Sequence, residues 1–186
     1  MTNKTVVMFL ATMAFAASAH ASPFKLSSKD FKEGGAIADK HVFNSFGCTG
    51  ENVSPELEWT NPPAGTKSFA LMVHDPDAPT GSGFWHWVMY NIPATTTSLP
   101  QGAGGADNKN APKGAVQSNT DFAAPGWGGP CPPAGSGNHH YNFMLFALKV
   151  EKLELPANAT AAFVGFNVRA SSLGQATLTG LYAKKK

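Results

Sequence analysis

Charge is the first thing this sequence has little of. Asp, Glu, Lys and Arg make up 14% of its residues, and the formal net charge is +2. A balance so near neutrality leaves no electrostatic case for a nucleic-acid partner. Lys184-Lys185-Lys186 reads as a solvated terminal tail rather than a binding patch. Apolar runs of membrane-spanning length are missing too. Val6 to Ala17 falls short of the roughly 20 residues that cross a bilayer, so no transmembrane segment is expected. With Lys4 before it and the small-x-small triplet Ala19-His20-Ala21 after it, the run reads as a signal peptide. The expected organisation is a cleaved leader at 1–21 and one domain at 22–186, placing the protein in the periplasm or outside the cell.

Cysteine is nearly absent. Cys48 and Cys131 form no CxxC pair and show no metal-type spacing, which removes the redox and zinc motifs. In an oxidising compartment an even pair favours a disulfide over two free thiols. Such a bridge would close a loop of roughly 80 residues, worth at best about 4 to 5 kcal/mol of loop entropy, and join two Gly/Pro-rich stretches. No GxSxG elbow is present and no serine sits in a nucleophile motif, so serine-hydrolase chemistry is not expected. No motif calls for a cofactor.

What the sequence does have is strand pattern. Ser68 to His74 is a compact apolar run ending at the turn-forming Asp75-Pro76-Asp77. Phe84 to Ile92 is aromatic and β-branched and stops at Pro93. In Tyr141 to Val150, Tyr141, Phe143, Leu145 and Ala147 share one face, while Met144, Phe146 and Leu148 share the other. Apolar residues on both faces predict central strands covered on each side. Phe24 to Ser28, Leu57 to Trp59, Ala115 to Ser118 and Ala176 to Ala183 are further strand candidates. One helix is expected near the end, capped by Asn158 or Thr160 and stopped by Gly174. Its apolar stripe would be Phe163, Phe166, Ala170 and Leu173. Many short strands in a Gly- and Pro-rich chain predict a mainly β sandwich with one or two peripheral helices. Two long loops, Pro100 to Lys113 and Ala123 to Asn138, are either functional or mobile.

Three segments carry the candidate chemistry. Asp75-Pro76-Asp77-Ala78-Pro79 follows a buried strand, Trp85-His86-Trp87 sets an imidazole between two indoles, and Gly128-Gly129-Pro130-Cys131-Pro132-Pro133 precedes His139-His140-Tyr141. Taken singly, each has a plain reading: Asp before Pro is turn chemistry, and His86, in phase with Val88 and Tyr90, suits a hydrogen-bonded core histidine. His139 and His140 point to opposite faces of a strand, so only one serves a given pocket, and His139 shares its face with Tyr141. Read jointly, His86, His139 and Tyr141 could offer donors to an anion, with loop N–H groups near Gly129 to Pro132 adding more. Asp75 would repel an anion it touched; it fits better as the partner that orients His86 or His139. An Asp75, His86, His139 metal site is the weaker use of the same residues, because an anion site explains them as well. If a protonated imidazole holds the anion, affinity should weaken as pH rises through about 6.5.

In order and spacing, these motifs resemble the phosphatidylethanolamine-binding protein family, also called Raf-kinase-inhibitor-like proteins. The resemblance runs through Asn52-Val53-Ser54-Pro55-Glu56-Leu57-Glu58-Trp59, Asp75 to Pro79, His86 leading to Asn91, and the Gly-Pro-Pro-like loop before His139-x-Tyr141. It covers essentially the whole chain after the leader. It implies a Greek-key-type antiparallel β-sandwich with a small pocket at one end for phosphate-like groups. The implied ligand-binding residues are Asp75, Pro79, His86, Gly129, Pro132, His139 and Tyr141, with Ala78-Pro79 a candidate cis peptide. Trp85 stands where the eukaryotic pattern has a second histidine, and Cys131 interrupts the loop. Both look like the exported bacterial branch. The implied function is non-enzymatic capture of a small anionic ligand; the alternative is a secreted inhibitor or modulator of a protein partner, a kinase or protease.

Overall fold

The computed structural model describes residues 22–186, so the expected leader at 1–21 lies outside the described residues. The elements run β1 (Lys25–Ser27), β2 (Gly35–Ala36), a 3-10 turn at Asp39–His41, β3 (Leu57–Thr60), β4 (Ser68–Asp75) and β5 (Phe84–Pro93). They continue with β6 (Ser98–Leu99), β7 (Val116–Gln117), β8 (His139–Leu148), α1 (Ala161–Ser171) and β9 (Ser172–Tyr182). Six strands form one sheet in the order β2-β9-β8-β4-β5-β7, and β1-β3-β6 form a second. All pairings are antiparallel except β2 with β9. The chain leaves the β4–β5 pair, visits the small sheet at β6, and returns to set β8 beside β4. That long return is the Greek-key-type connection expected of the sandwich.

The central strands are covered on both faces, as their apolar pattern requires. Leu57, Trp59 and Leu99 of the small sheet pack against Phe69, Leu71 and Phe143 of the large one. On the opposite face Met72, Val88, Phe146 and Leu148 lie under Val164 and Val168 of α1. Each such buried side chain contributes about 1.5 to 3 kcal/mol relative to exposure.

The helix corrects one expectation. Thr160 caps it, its hydroxyl accepting the Phe163 N–H, but the buried face is Ala161, Val164, Gly165 and Val168. Phe163, Phe166 and Leu173 are exposed, and Ala170 also faces out. The cause is close approach: a Cβ on Gly165 would stand 3.2 Å from Met72 Cε. At Gly165 the helix approaches Met72 closely, and the face turned to the sheet carries Ala, Val and Gly while the phenylalanines turn outward. Gly174 does not stop the helix, which ends at Ser171; it sits within β9, where a Cβ would meet Pro63 Cγ at 2.9 Å.

Candidate functional site

β4 lies between β5 and β8, so residues at the ends of these three strands are neighbours. Asp75 closes β4 opposite Phe84, and His74 stands opposite Asn142. Strict alternation would place His86 with Val88 and Tyr90 on the helix side. The pairing of β4 with β5 shifts register between Val73 and His74, leaving His86 as an extra residue on its strand. This bulge re-aims the imidazole. Its ring meets Tyr141 edge-on, with centroids 5.0 Å apart.

A cavity of about 160 Å³ opens there. Its inner end is formed by Asp75, His86, His139 and Tyr141, its walls by Pro79 and Pro132, and its mouth by Phe46, Phe84 and Phe122. Six of the seven residues singled out from the sequence thus line one space. Gly129 does not: it packs against the backbone of His41 to Phe43, where no side chain fits, and its N–H donates to Asn52 Oδ1 at 2.8 Å. The Ala78–Pro79 bond, a cis candidate, is trans.

The hydrogen bonds choose among the expected roles. His86 Nδ1 lies 2.6 Å from the Gly128 carbonyl. A carbonyl only accepts, so Nδ1 carries the ring proton and Nε2 keeps a lone pair. Burial holds the His86 pKa down to about 4, against the opposing pull of the Gly128 carbonyl and Asp75. Burial thus favours the neutral ring, which counts against the protonated-His86 form of anion binding. His139 Nδ1 donates to Asp75 Oδ2 at 2.7 Å, while Asp75 Oδ1 accepts the Asp77 N–H at 2.9 Å. Asp75 therefore orients His139, not His86, and both its oxygens are engaged. His139 Nε2 is met by Ser136 Oγ at 2.9 Å, a partner that no sequence motif marks. His140 points out of the cavity and pairs with Asp77 at 2.7 Å.

Tyr141 is different. Its side chain is fully buried, and its hydroxyl makes no full hydrogen bond among the described residues, though the Asp75 carboxylate lies near enough to attract it. Burial, then the nearby Asp75 carboxylate, pushes its pKa well above 10, so it remains a phenol donor. His41 was also missed from sequence: it is fully buried behind the loop, with Nδ1 on the Val53 carbonyl at 2.6 Å.

The rim is held by covalent and polar ties. Cys48 and Cys131 form a disulfide across a sequence separation of 83. Asn52 donates to the Trp127 carbonyl and accepts from Gly129 N–H, so the early Asn52-to-Trp59 motif clamps the loop before Pro132. Phe46 is 71% exposed, yet rests on Phe43 and Phe122 with centroids 5.3 and 5.9 Å away. Among the described residues, no three His, Cys, Asp or Glu side chains group as metal ligands.

Comparison with known proteins agrees with this architecture. The model of the family described as phosphatidylethanolamine-binding protein matches residues 27–183. The UPF0098 protein YbcL of Escherichia coli is 46% identical over 182 residues, spanning 98% of this chain and all of that protein. YbhB of the same organism is 46% identical over 159 residues, 86% of this chain and 99% of that protein. The crystal structure of E. coli YbcL, described as a new member of the mammalian PEBP family, has a TM-score of 0.86 to this chain. It is 48% identical and covers 88% of this chain and all of that one. A phosphatidylethanolamine-binding protein from Plasmodium vivax shares the fold, at TM-score 0.56 and 16% identity, over 92% of this chain and 91% of that one. With a family model over most of its length and full-length relatives at nearly half identity, the chain belongs to the phosphatidylethanolamine-binding protein family.

Proposed function

We propose that this chain is a non-enzymatic binding module that captures a small phosphate-bearing or other anionic group in the cavity where β4, β5 and β8 end. One observation carries the reading: the ends of β4, β5 and β8 bring Asp75, His86, His139 and Tyr141 to one cavity, where the Tyr141 hydroxyl makes no full hydrogen bond within the protein. Leaving such a group unpaired costs about 1 to 3 kcal/mol, which an oxygen of a bound ligand offsets. Asp75 acts behind the contact surface by fixing the His139 ring. The proposed ligand-binding set is Asp75, Pro79, His86, Pro132, His139 and Tyr141. The leader expected at 1–21 and the disulfide together support export to the periplasm or beyond.

A second reading, inhibition or modulation of a protein partner, is favoured by Phe46. An aromatic ring that is 71% exposed at the mouth of a cavity suits contact with another surface. Both readings use the same opening, since an acidic group of a partner could enter it. The loop Pro100 to Lys113 is less suited to that contact, because Gly102 and Gly104 donate to Ser54 and hold its first half against the body. The test is an NMR titration of the purified protein with phosphate and phosphoethanolamine at pH 5.5. Saturable shifts at His86 and Tyr141 are expected; their absence at tens of millimolar ligand would transfer the assignment to the protein-partner reading.

A further inference from the structure

We infer that the group this pocket accepts is an oxyacid that still carries a proton: its O–H donates to His86 Nε2 while a second oxygen accepts the Tyr141 O–H. The monoanion of a phosphate monoester has this chemistry. The inference rests on the anion-pocket reading above and specifies which form of the ligand enters.

Three observations lead to it. First, no Lys or Arg lines the cavity. A site for a fully ionised phosphate ordinarily supplies cations or several free N–H donors. Second, the side-chain and glycine N–H donors beside His86 and His139 are occupied. The Gly128 N–H bonds the His86 carbonyl and the Gly129 N–H bonds Asn52. The His139 Nδ1 proton lies on Asp75, and His139 Nε2 faces Ser136. Tyr141 is the one unengaged side-chain donor among the polar groups at the inner end. Third, His86 presents an acceptor. Its ring proton is committed to Gly128, and Nε2 makes no hydrogen bond to the described protein residues.

The charged and titratable groups around His86 do not reverse this. Asp75 and His74 approach from β4, Asp121 from the loop beyond β7, and Tyr141 from β8 with His139 beyond it. Two of these are carboxylates and none is a lysine or arginine. A dianion would set oxygen lone pairs against the Nε2 lone pair close to the Asp75 charge, with Tyr141 the one unengaged side-chain donor to hold it. A singly protonated oxyacid matches the acceptor and the donor together.

Two ligands of equal charge separate this from simple anion binding. Methyl phosphate at pH 5 is a monoanion with an O–H; dimethyl phosphate is a monoanion at every working pH and has none. Each is titrated into the disulfide-bonded protein at pH 5, 6, 7 and 8 by NMR. Methyl phosphate should bind at least about 10-fold more tightly than dimethyl phosphate at pH 5, for want of one hydrogen bond. Its affinity should then fall about 100-fold by pH 8, following its own second pKa near 6. A protein imidazole as the cause would impose the same pH profile on dimethyl phosphate. Equal binding of the two at pH 5, or methyl phosphate affinity that holds or rises toward pH 8, would overturn the inference alone. Binding of neither at pH 5 would remove the anion-pocket reading itself, and this inference with it.

Discussion

Replacing Asp75 by Asn isolates what the buried carboxylate does. Oδ1 accepts from the Asp77 N–H and Oδ2 from His139 Nδ1, so both oxygens face donors. An amide has one oxygen. If that oxygen stays with Asp77, its NH₂ faces His139 Nδ1, and two donors oppose each other unless the ring changes tautomer. The change is available because Ser136 Oγ lies 2.9 Å from Nε2 and, with its own O–H on the Pro133 carbonyl at 2.9 Å, presents a lone pair to it. Asp75→Asn should therefore exchange a charge-assisted bond, about 1.5 to 3 kcal/mol, for a neutral one, about 0.5 to 1.5. The expected net loss is about 1 to 2 kcal/mol. Guanidinium unfolding measures the loss, and nitrogen-15 NMR of the ring identifies the protonated nitrogen. A loss under about 0.5 kcal/mol with His139 still protonated at Nδ1 would refute the reasoning. A loss of about 3 to 5 kcal/mol, the scale for breaking a buried pair, would show that Ser136 cannot support the switch.

Two further predictions concern stability. Removing the disulfide with a Cys48→Ser, Cys131→Ser double variant frees a loop spanning 83 positions; unfolding stability should drop by about 4.5 kcal/mol, and a drop below about 1 kcal/mol would contradict the loop-entropy account. The buried imidazoles make the fold acid-sensitive. His86 binds its proton near pH 4 when folded and near 6.5 when unfolded, so between these values the unfolded chain holds more protons and stability falls as pH falls. The loss is on the order of 3 kcal/mol from pH 7 to 4, and His41, also pushed down by burial, adds to it in the same direction. Denaturation midpoints that do not change over this window would contradict the neutral assignment, while His86→Gln should flatten the slope.

Much of this architecture is legible in the sequence where periodicity is long. β4, β5 and β8 run eight to ten residues, and the two apolar faces of β8 divide as alternation requires, Phe143 and Leu145 toward the small sheet and Phe146 and Leu148 toward α1. β2 and β6 are two residues each and carry no periodic signal; their pairing is a property of the assembled sheets. The buried face of the helix differs from the expected one because hydrophobicity ranks Phe above Gly and Ala, while the helix approaches Met72 closely at Gly165. His86 was legible as a residue and not as a direction, since the bulge that turns it depends on the partner strand. Ser136 and His41 stand in no motif, and their contacts cross loops. Sequence therefore gathered the site residues, but hydrogen-bond direction, set by which neighbours accept and which donate, decided their roles.

The central claim is most directly tested by Tyr141→Phe, which deletes one oxygen and leaves the packing of the ring in place. Because the hydroxyl makes no full hydrogen bond within the protein, the variant should be as stable as the parent or more stable by up to about 2 kcal/mol. Its affinity for methyl phosphate at pH 5 should fall at least about 10-fold. Unchanged affinity would contradict the account, as would a stability loss above about 1 kcal/mol, which would mean the phenol already serves a partner within the fold.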